Sequence, residues 1–191
     1  LEKESDFKTE ILKLRSRNVD GIVCVIPETI HSRTWKNDEI SENIPMTFIF
    51  NRGFPSCSAI RVDNVAGGYM ATKHILEHGC RKIAHISGLA ESIEAKDRII
   101  GWKKSLIEAG IEPEFLFNGG WTAESGKKTA LKMLDQCQDV EAVFVGDDDC
   151  ALGVMSAMYE AGKRVPEDIK IIGFDDARYS EYLNPPLTTV K

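Results

Sequence analysis

The sequence predicts an α/β fold with parallel sheets flanked by helices, and three observations predict it. Short, continuous apolar runs such as VDGIVCVIP read as strands buried on both faces. Stretches with apolar residues at helical spacing lie between such runs and end at glycines. Loops of only a few residues join the two kinds of segment, and regular strand–helix alternation from about residue 64 onward makes the strands parallel. Right-handed crossovers then give open, doubly wound sheets.

The elements follow in order. Phe7, Ile11, Leu12 and Leu14 place a helix over about 4–17, and VDGIVCVIP is the first strand. Residues 28–43 are polar and mixed, with room for a short helix. IPMTFIF (44–50) is the second strand and AIRVD (59–63) the third. A helix over about 65–78 has Asn64 as its expected N-cap and Gly79 as its stop. KIAHIS (82–87) is a strand, and residues 94–109 form a helix closed by Gly110. EFLFN (114–118) is a strand, and Thr122 caps a helix over 122–137. EAVFVG (141–146) leads to a helix over 149–161 that ends at Gly162, with Asp148 as its expected cap. DIKIIGF (168–174) and LTTVK complete the set.

Composition narrows the function. The 191 residues are 42% hydrophobic and 28% charged, as expected of a globular chain with a substantial core. The net charge of −6, with no long basic run, argues against these residues gripping a phosphate backbone. Five cysteines, at 24, 57, 80, 137 and 150, form no C-x-x-C pair and read as reduced packing thiols of a cytoplasmic protein. No signal peptide opens the chain, and no apolar run is long enough to cross a bilayer. The start inside a helical pattern, without Met, suggests part of a longer protein.

Ligands of open parallel sheets bind at the carboxyl ends of the strands, and this sequence loads those ends with polar groups. Ile86 runs into Ser87-Gly88, Asn118 into Gly119-Gly120-Trp121, Gly146 into Asp147-Asp148-Asp149, and Phe174 into Asp175-Asp176. Phe50 leads into Asn51-Arg52, and Ile26 into Pro27-Glu28. Carboxylates, amides, an indole and an arginine around one crevice suit a polar or polyhydroxylated small molecule. An indole at a Gly-Gly strand end offers a stacking platform. Burying about 100 Å² of a ligand's apolar face there yields roughly 2–3 kcal/mol.

Other chemistries find less support. Three consecutive aspartates cannot easily face one Mg²⁺ ion. His74 and His78 stand four apart on a helix without an evident third ligand for zinc. The phosphate-loop and dinucleotide fingerprints are missing, as is G-x-S-x-G. The expectation is a non-enzymatic binding protein with no metal and no cofactor.

Several stretches together resemble the effector-binding core of the LacI/GalR (lactose-repressor and galactose-repressor) transcription regulators. They are VDGIV, VDNVAGGYMATKHILEHGCRKIAHISG, AKDRIIGWKKSLIEAG, GDDDCALGVMSAMYEAGKRVPEDIKIIGFDD and NPPLTTVK. The combination of D-D-x-A-L-G, V-P-E-D-I, G-F-D-D and P-P-L-T-T is specific where any one motif alone is not. The resemblance implies a periplasmic-binding-protein-like type I fold of two lobes, with an effector in the cleft between them. Residues 1–63 would form an incomplete amino-terminal lobe and 64–191 the carboxy-terminal lobe. A helix-turn-helix DNA-binding head would lie outside this chain.

The resemblance also implies site residues. Asp175, the first Asp of G-F-D-D, would reach the effector, and Arg98 would bind hydroxyls or carboxylates. Trp121 would stack on the effector, and Asn51 and Arg52 would line the cleft from the first lobe. Asp147 stands where lactose-repressor-like members carry Asn, so it accepts hydrogen bonds but does not donate them while ionised. Glu94, one turn before Arg98, is placed to pair with it. The implied protein is a cytoplasmic, homodimeric regulator of operator DNA that senses a small polar effector, a sugar first and a nucleobase second. An exported solute-binding protein of a transporter, with the same architecture, is the alternative.

Overall fold

The computed structural model describes residues 4–25, 44–49 and 57–191, and the chain divides into two units, Leu1–Val62 and Asp63–Lys191.

The first unit holds helix α1 (Glu4–Ser16) and strands β1 (Ile22–Val25), β2 (Met46–Ile49) and β3 (Ser58–Ile60). The strands are parallel and ordered β1-β2-β3, with Cys24 opposite Phe48 and Phe48 opposite Ala59. Phe7 and Ile11 of α1 pack with Ile22, Cys24, Met46 and Phe48 into one small core. β1 alternates rather than being buried on both faces: Val23 and Val25 are 67% and 66% exposed. The reason is that this core, among the described residues, forms on only one side of the sheet. The short helix expected within 28–43 lies outside the described residues.

The second unit alternates throughout. α2 (Asn64–Glu77), β4 (Ile83–Ser87), α3 (Ile93–Glu108), β5 (Leu116–Asn118), α4 (Ala123–Gln136), β6 (Ala142–Val145), α5 (Asp148–Glu160), β7 (Lys170–Phe174) and β8 (Thr188–Val190) follow one another. A single 3-10 turn, Ser180–Tyr182, interrupts the last connection. All five strands are parallel, in the order β5-β4-β6-β7-β8. The chain steps outward from β4 to β5 and then returns to the other side of β4 for β6. In such a sheet the crevice forms where the winding reverses, at the carboxyl ends of β4 and β6.

Two apolar layers hold this sheet. On one side Ala130 and Met133 of α4 and Val154, Ala157 and Met158 of α5 pack on Ala84, Ile86, Val143 and Val145. On the other side Ala71 and Ile75 of α2 and Trp102 and Leu106 of α3 cover Ile83, Ala142, Phe144 and Ile172. Alternate residues of each strand therefore serve opposite layers, which is why β4 and β6 are buried along their whole length. Each fully buried aliphatic side chain contributes about 1.5–3 kcal/mol relative to exposure.

The helix ends follow local chemistry. Gly79, Gly110 and Gly162 follow the caps of α2, α3 and α5 with positive φ, as expected from the sequence. Thr122 and Ser125 form a reciprocal capping box on α4. Two caps differ by one residue from expectation. Asp63 caps α2 through Ala66 N at 2.9 Å, and Asp147 caps α5 through Cys150 N at 2.8 Å. Asn64 and Asp148 are instead the first helical residues, and both are turned into the protein. The five cysteines are free thiols. Burial pushes the Cys150 thiol up to about 12 and Cys24 up to about 11, which keeps both protonated and unreactive. Among the described residues, no helix is long and apolar enough to cross a membrane.

Candidate functional site

Arg98 is the organising cation at the carboxyl edge of the second sheet. It sits on α3, whose N-cap Ser92 accepts from Ala95 N, and it is 7% exposed. Its Nε donates to Asn64 Oδ1 at 2.8 Å, and one terminal amine donates to the carbonyl of Gly146. The other terminal amine reaches Asp175 Oδ1 at 3.5 Å. Its guanidinium carbon lies 3.7 Å from the Phe174 ring centroid and 5.7 Å from that of Trp121. Residues from α2, β6, β7 and the β5–α4 loop thus fix one side chain in position. The backbone approach also depends on Gly68, where a Cβ would stand 2.4 Å from the Arg98 carbonyl oxygen.

Trp121 is partly buried, and its indole rests directly on Gly88 at the end of β4. A Cβ at residue 88 would come within 1.8 Å of that ring. The Gly-Gly turn after β5 therefore supplies an aromatic surface beside the guanidinium, which is what a stacking platform requires.

The carboxylates divide into distinct roles. Asp175 has a side chain 45% exposed and faces Arg98, while its backbone N–H donates to Val190 O at 2.8 Å. Its φ is +108°, a region that disfavours L side chains. Burial pushes its pKa up to about 6; Arg98 opposes that shift, and Asp147 and Asp148 add to it. Asp147 lies within hydrogen-bonding reach of Asp175, and its pKa is also raised, first by burial. Glu94 does not form an ion pair with Arg98. It accepts from Ser92 Oγ at 2.6 Å and acts on Arg98 only through its field, because Asp175 holds the ion-pairing contact. Burial lowers the Arg98 pKa from its ordinary value against the pull of these acids.

The expected role for Asp148 needs correcting, since its side chain is a structural lock rather than a cap. It is 1% exposed and accepts from Ala177 N (2.8 Å), Ser180 Oγ (2.9 Å) and Thr189 Oγ1 (2.7 Å). This bonding fastens the connection between β7 and β8 behind Asp175. Asp149 accepts from the Tyr179 hydroxyl at 2.5 Å. The three consecutive aspartates accordingly serve three separate sets of partners.

The structure brings Arg98, Trp121, Asp147 and Asp175 to one edge, with Glu94 one helical turn away. Asn51 and Arg52 lie outside the described residues. Sequence reasoning missed Asn64 and Phe174, which grip Arg98, and Gly88, which seats Trp121. Asn64 was legible only as a polar residue at a helix start, where a capping role is the simpler reading. His85 was also missed. It is fully buried, stacks on Phe144 with centroids 4.4 Å apart, and is bonded through Nδ1 to the Phe144 carbonyl. Burial lowers its pKa to about 4, so it is neutral near pH 7 and belongs to the core.

The periplasmic binding protein-like domain family matches residues 72–191. The HTH-type transcriptional repressor PurR of Aliivibrio salmonicida is 34% identical over 183 residues, 93% of this chain and 54% of its own length. The HTH-type transcriptional regulator CelR of Thermobifida fusca is 35% identical over 135 residues, 70% of this chain and 40% of its own. A solved transcriptional regulator CelR–cellobiose complex aligns with a TM-score of 0.80 and 27% identity, covering 98% of this chain and 58% of that one. The lac repressor dimer bound to operator and the anti-inducer ONPF aligns with a TM-score of 0.84 and 28% identity, covering 99% and 66%. The chain belongs to the periplasmic binding protein-like domain family, as an effector-binding domain of the LacI/GalR type. It spans about half the length of the curated relatives it matches.

Proposed function

We propose that this chain is the ligand-sensing part of a LacI/GalR-type transcriptional regulator. In this reading it binds a small polar effector at the carboxyl edge of its second sheet and controls operator binding by a helix-turn-helix segment outside these residues. The regulator acts in the cytoplasm as a homodimer and turns over no substrate. Arg98 and Asp175 supply charged hydrogen-bonding groups, Trp121 supplies a stacking face, and Asp147 and Glu94 add acceptors. Asn51 and Arg52 are further proposed contacts from the first unit. A sugar is the favoured effector class, which the cellobiose complex of a related regulator supports.

The observation that carries the reading is Asp175. A non-glycine residue at φ +108° costs about 1–3 kcal/mol, and such strain persists where the side chain has work to do. An effector shifts the regulator only by its differential affinity for the two conformations, so contacts to fixed groups such as Asp175 matter most. Asp175→Gly relieves the backbone strain while deleting the carboxylate. The expected result is unchanged or higher thermal stability together with at least a tenfold loss of sugar affinity, a loss of about 1.4 kcal/mol. Calorimetric titration with cellobiose and a panel of hexoses measures it. Unchanged affinity in this variant for a sugar that binds the parent chain removes Asp175 from the site.

A further inference from the structure

The site holds three accessible or partly accessible carboxylates and one cation, and the cation is already committed. Arg98 is buried, its Nε and both terminal amines have partners, and its faces lie toward Phe174 and Trp121. Asp175, by contrast, has a side chain 45% exposed. Asp147 spends Oδ1 on Cys150 N and meets Asp175 with the rest of its carboxylate. Glu94 takes one hydroxyl, from Ser92, and adds its charge. Behind them Asp148 is closed off by its three donors, and Asp149 is held by Tyr179. A ligand arriving at this edge therefore meets acceptors and a negative field, with the balancing guanidinium set back in the protein.

We infer that this edge selects neutral or aminated polyols and excludes carboxylated or phosphorylated ones, with Asp147 and Asp175 as the pair that sets the selection. The inference rests on the effector-site reading above. A hydroxyl or ammonium donor placed between the two carboxylates satisfies both, as charge-assisted hydrogen bonds do. An anion placed there meets like charge and finds no free guanidinium fork to answer it. Asp147 is the determining member because it is positioned independently: its cap on α5 holds it beside Asp175 whether or not ligand is present.

The test is calorimetric titration of the full chain at about pH 7.5 with matched sets. Each set contains a hexose or cellobiose, its aminated counterpart, and its carboxylated and phosphorylated counterparts. The expected result is that every binder is neutral or aminated, with the anionic member at least tenfold weaker. In Asp147→Asn, which keeps an oxygen for the helix cap, the gap falls to about threefold or less. An anionic sugar that binds as tightly as its neutral partner, with binding lost in Asp175→Gly, overturns the selection and leaves the site in place. A binder indifferent to Asp175→Gly overturns the site itself and this inference with it. A panel in which nothing binds removes the polyol class, and both fall.

Discussion

The two edges of the second sheet carry charge in opposite ways. At the amino edge, charges meet in water. Glu141 accepts from the backbone N–H groups of Arg81 and Lys82, Lys82 pairs with Asp139, and Arg164 pairs with Asp168. The side chains of Lys82, Asp139 and Arg164 are 50%, 62% and 71% exposed. At the carboxyl edge Arg98 and Asp148 are almost fully enclosed, every polar contact is specific, and acids outnumber the base. The difference teaches that charge pairing by itself does not mark a site. What marks this one is charge held out of water, out of balance and, at Asp175, out of ordinary backbone geometry.

The sharpest way to break this contrast is Asp148→Ala. It strands the donors of Ala177, Ser180 and Thr189 in a buried space, so the expected loss is about 3–5 kcal/mol of stability. Chemical denaturation measures it, and a loss below about 1 kcal/mol would deny Asp148 its locking role.

A pH series sharpens the contrast next. The raised pKa of Asp175 means that the folded chain holds a proton between about pH 4 and 6 that the unfolded chain has released. This group therefore adds stability below the ordinary carboxylate range, and that stability is lost as pH rises through about 6. Ligand affinity runs the other way, since the ionised carboxylate is the better acceptor. The expected affinity falls by up to tenfold per pH unit below about 6. Both trends are read as differences between the parent chain and Asp175→Asn, which should show neither; a parent chain that tracks the variant would contradict the assignment.

The smallest effect belongs to the amino edge. Asp139→Ala removes the exposed partner of Lys82 and should change stability by less than about 1 kcal/mol. A larger loss in the same denaturation assay would erase the distinction between the edges.

Much of this was legible in advance because it depends on local pattern. The apolar runs, helical periodicity and stop glycines place every helix and strand of the second unit within a residue or two. The polar tips of four strands point to the correct edge, since parallel strands share one. What could not be read was side-chain direction at the helix starts. Asp147 and Asp148 are adjacent and chemically identical, and only the fold decides which caps α5 and which turns inward. The same holds for Asp63 and Asn64. The two-sided burial expected of β1 failed for a related reason: an apolar run signals the capacity to be covered, and the covering elements are a property of the whole assembly. Glu94 was drawn toward Arg98 by helical spacing, whereas the ion pair formed with a residue 77 positions away in the chain.

Residue 88 carries a practical consequence. With only hydrogen on its α-carbon, the indole above it lies as low as the backbone allows, and the thickness of whatever slides over that indole is set from beneath. Alanine or serine there would lift the tryptophan without touching any polar contact. One atom at the end of a strand thus becomes the natural handle for anyone who wants this sensor to prefer flatter or bulkier rings.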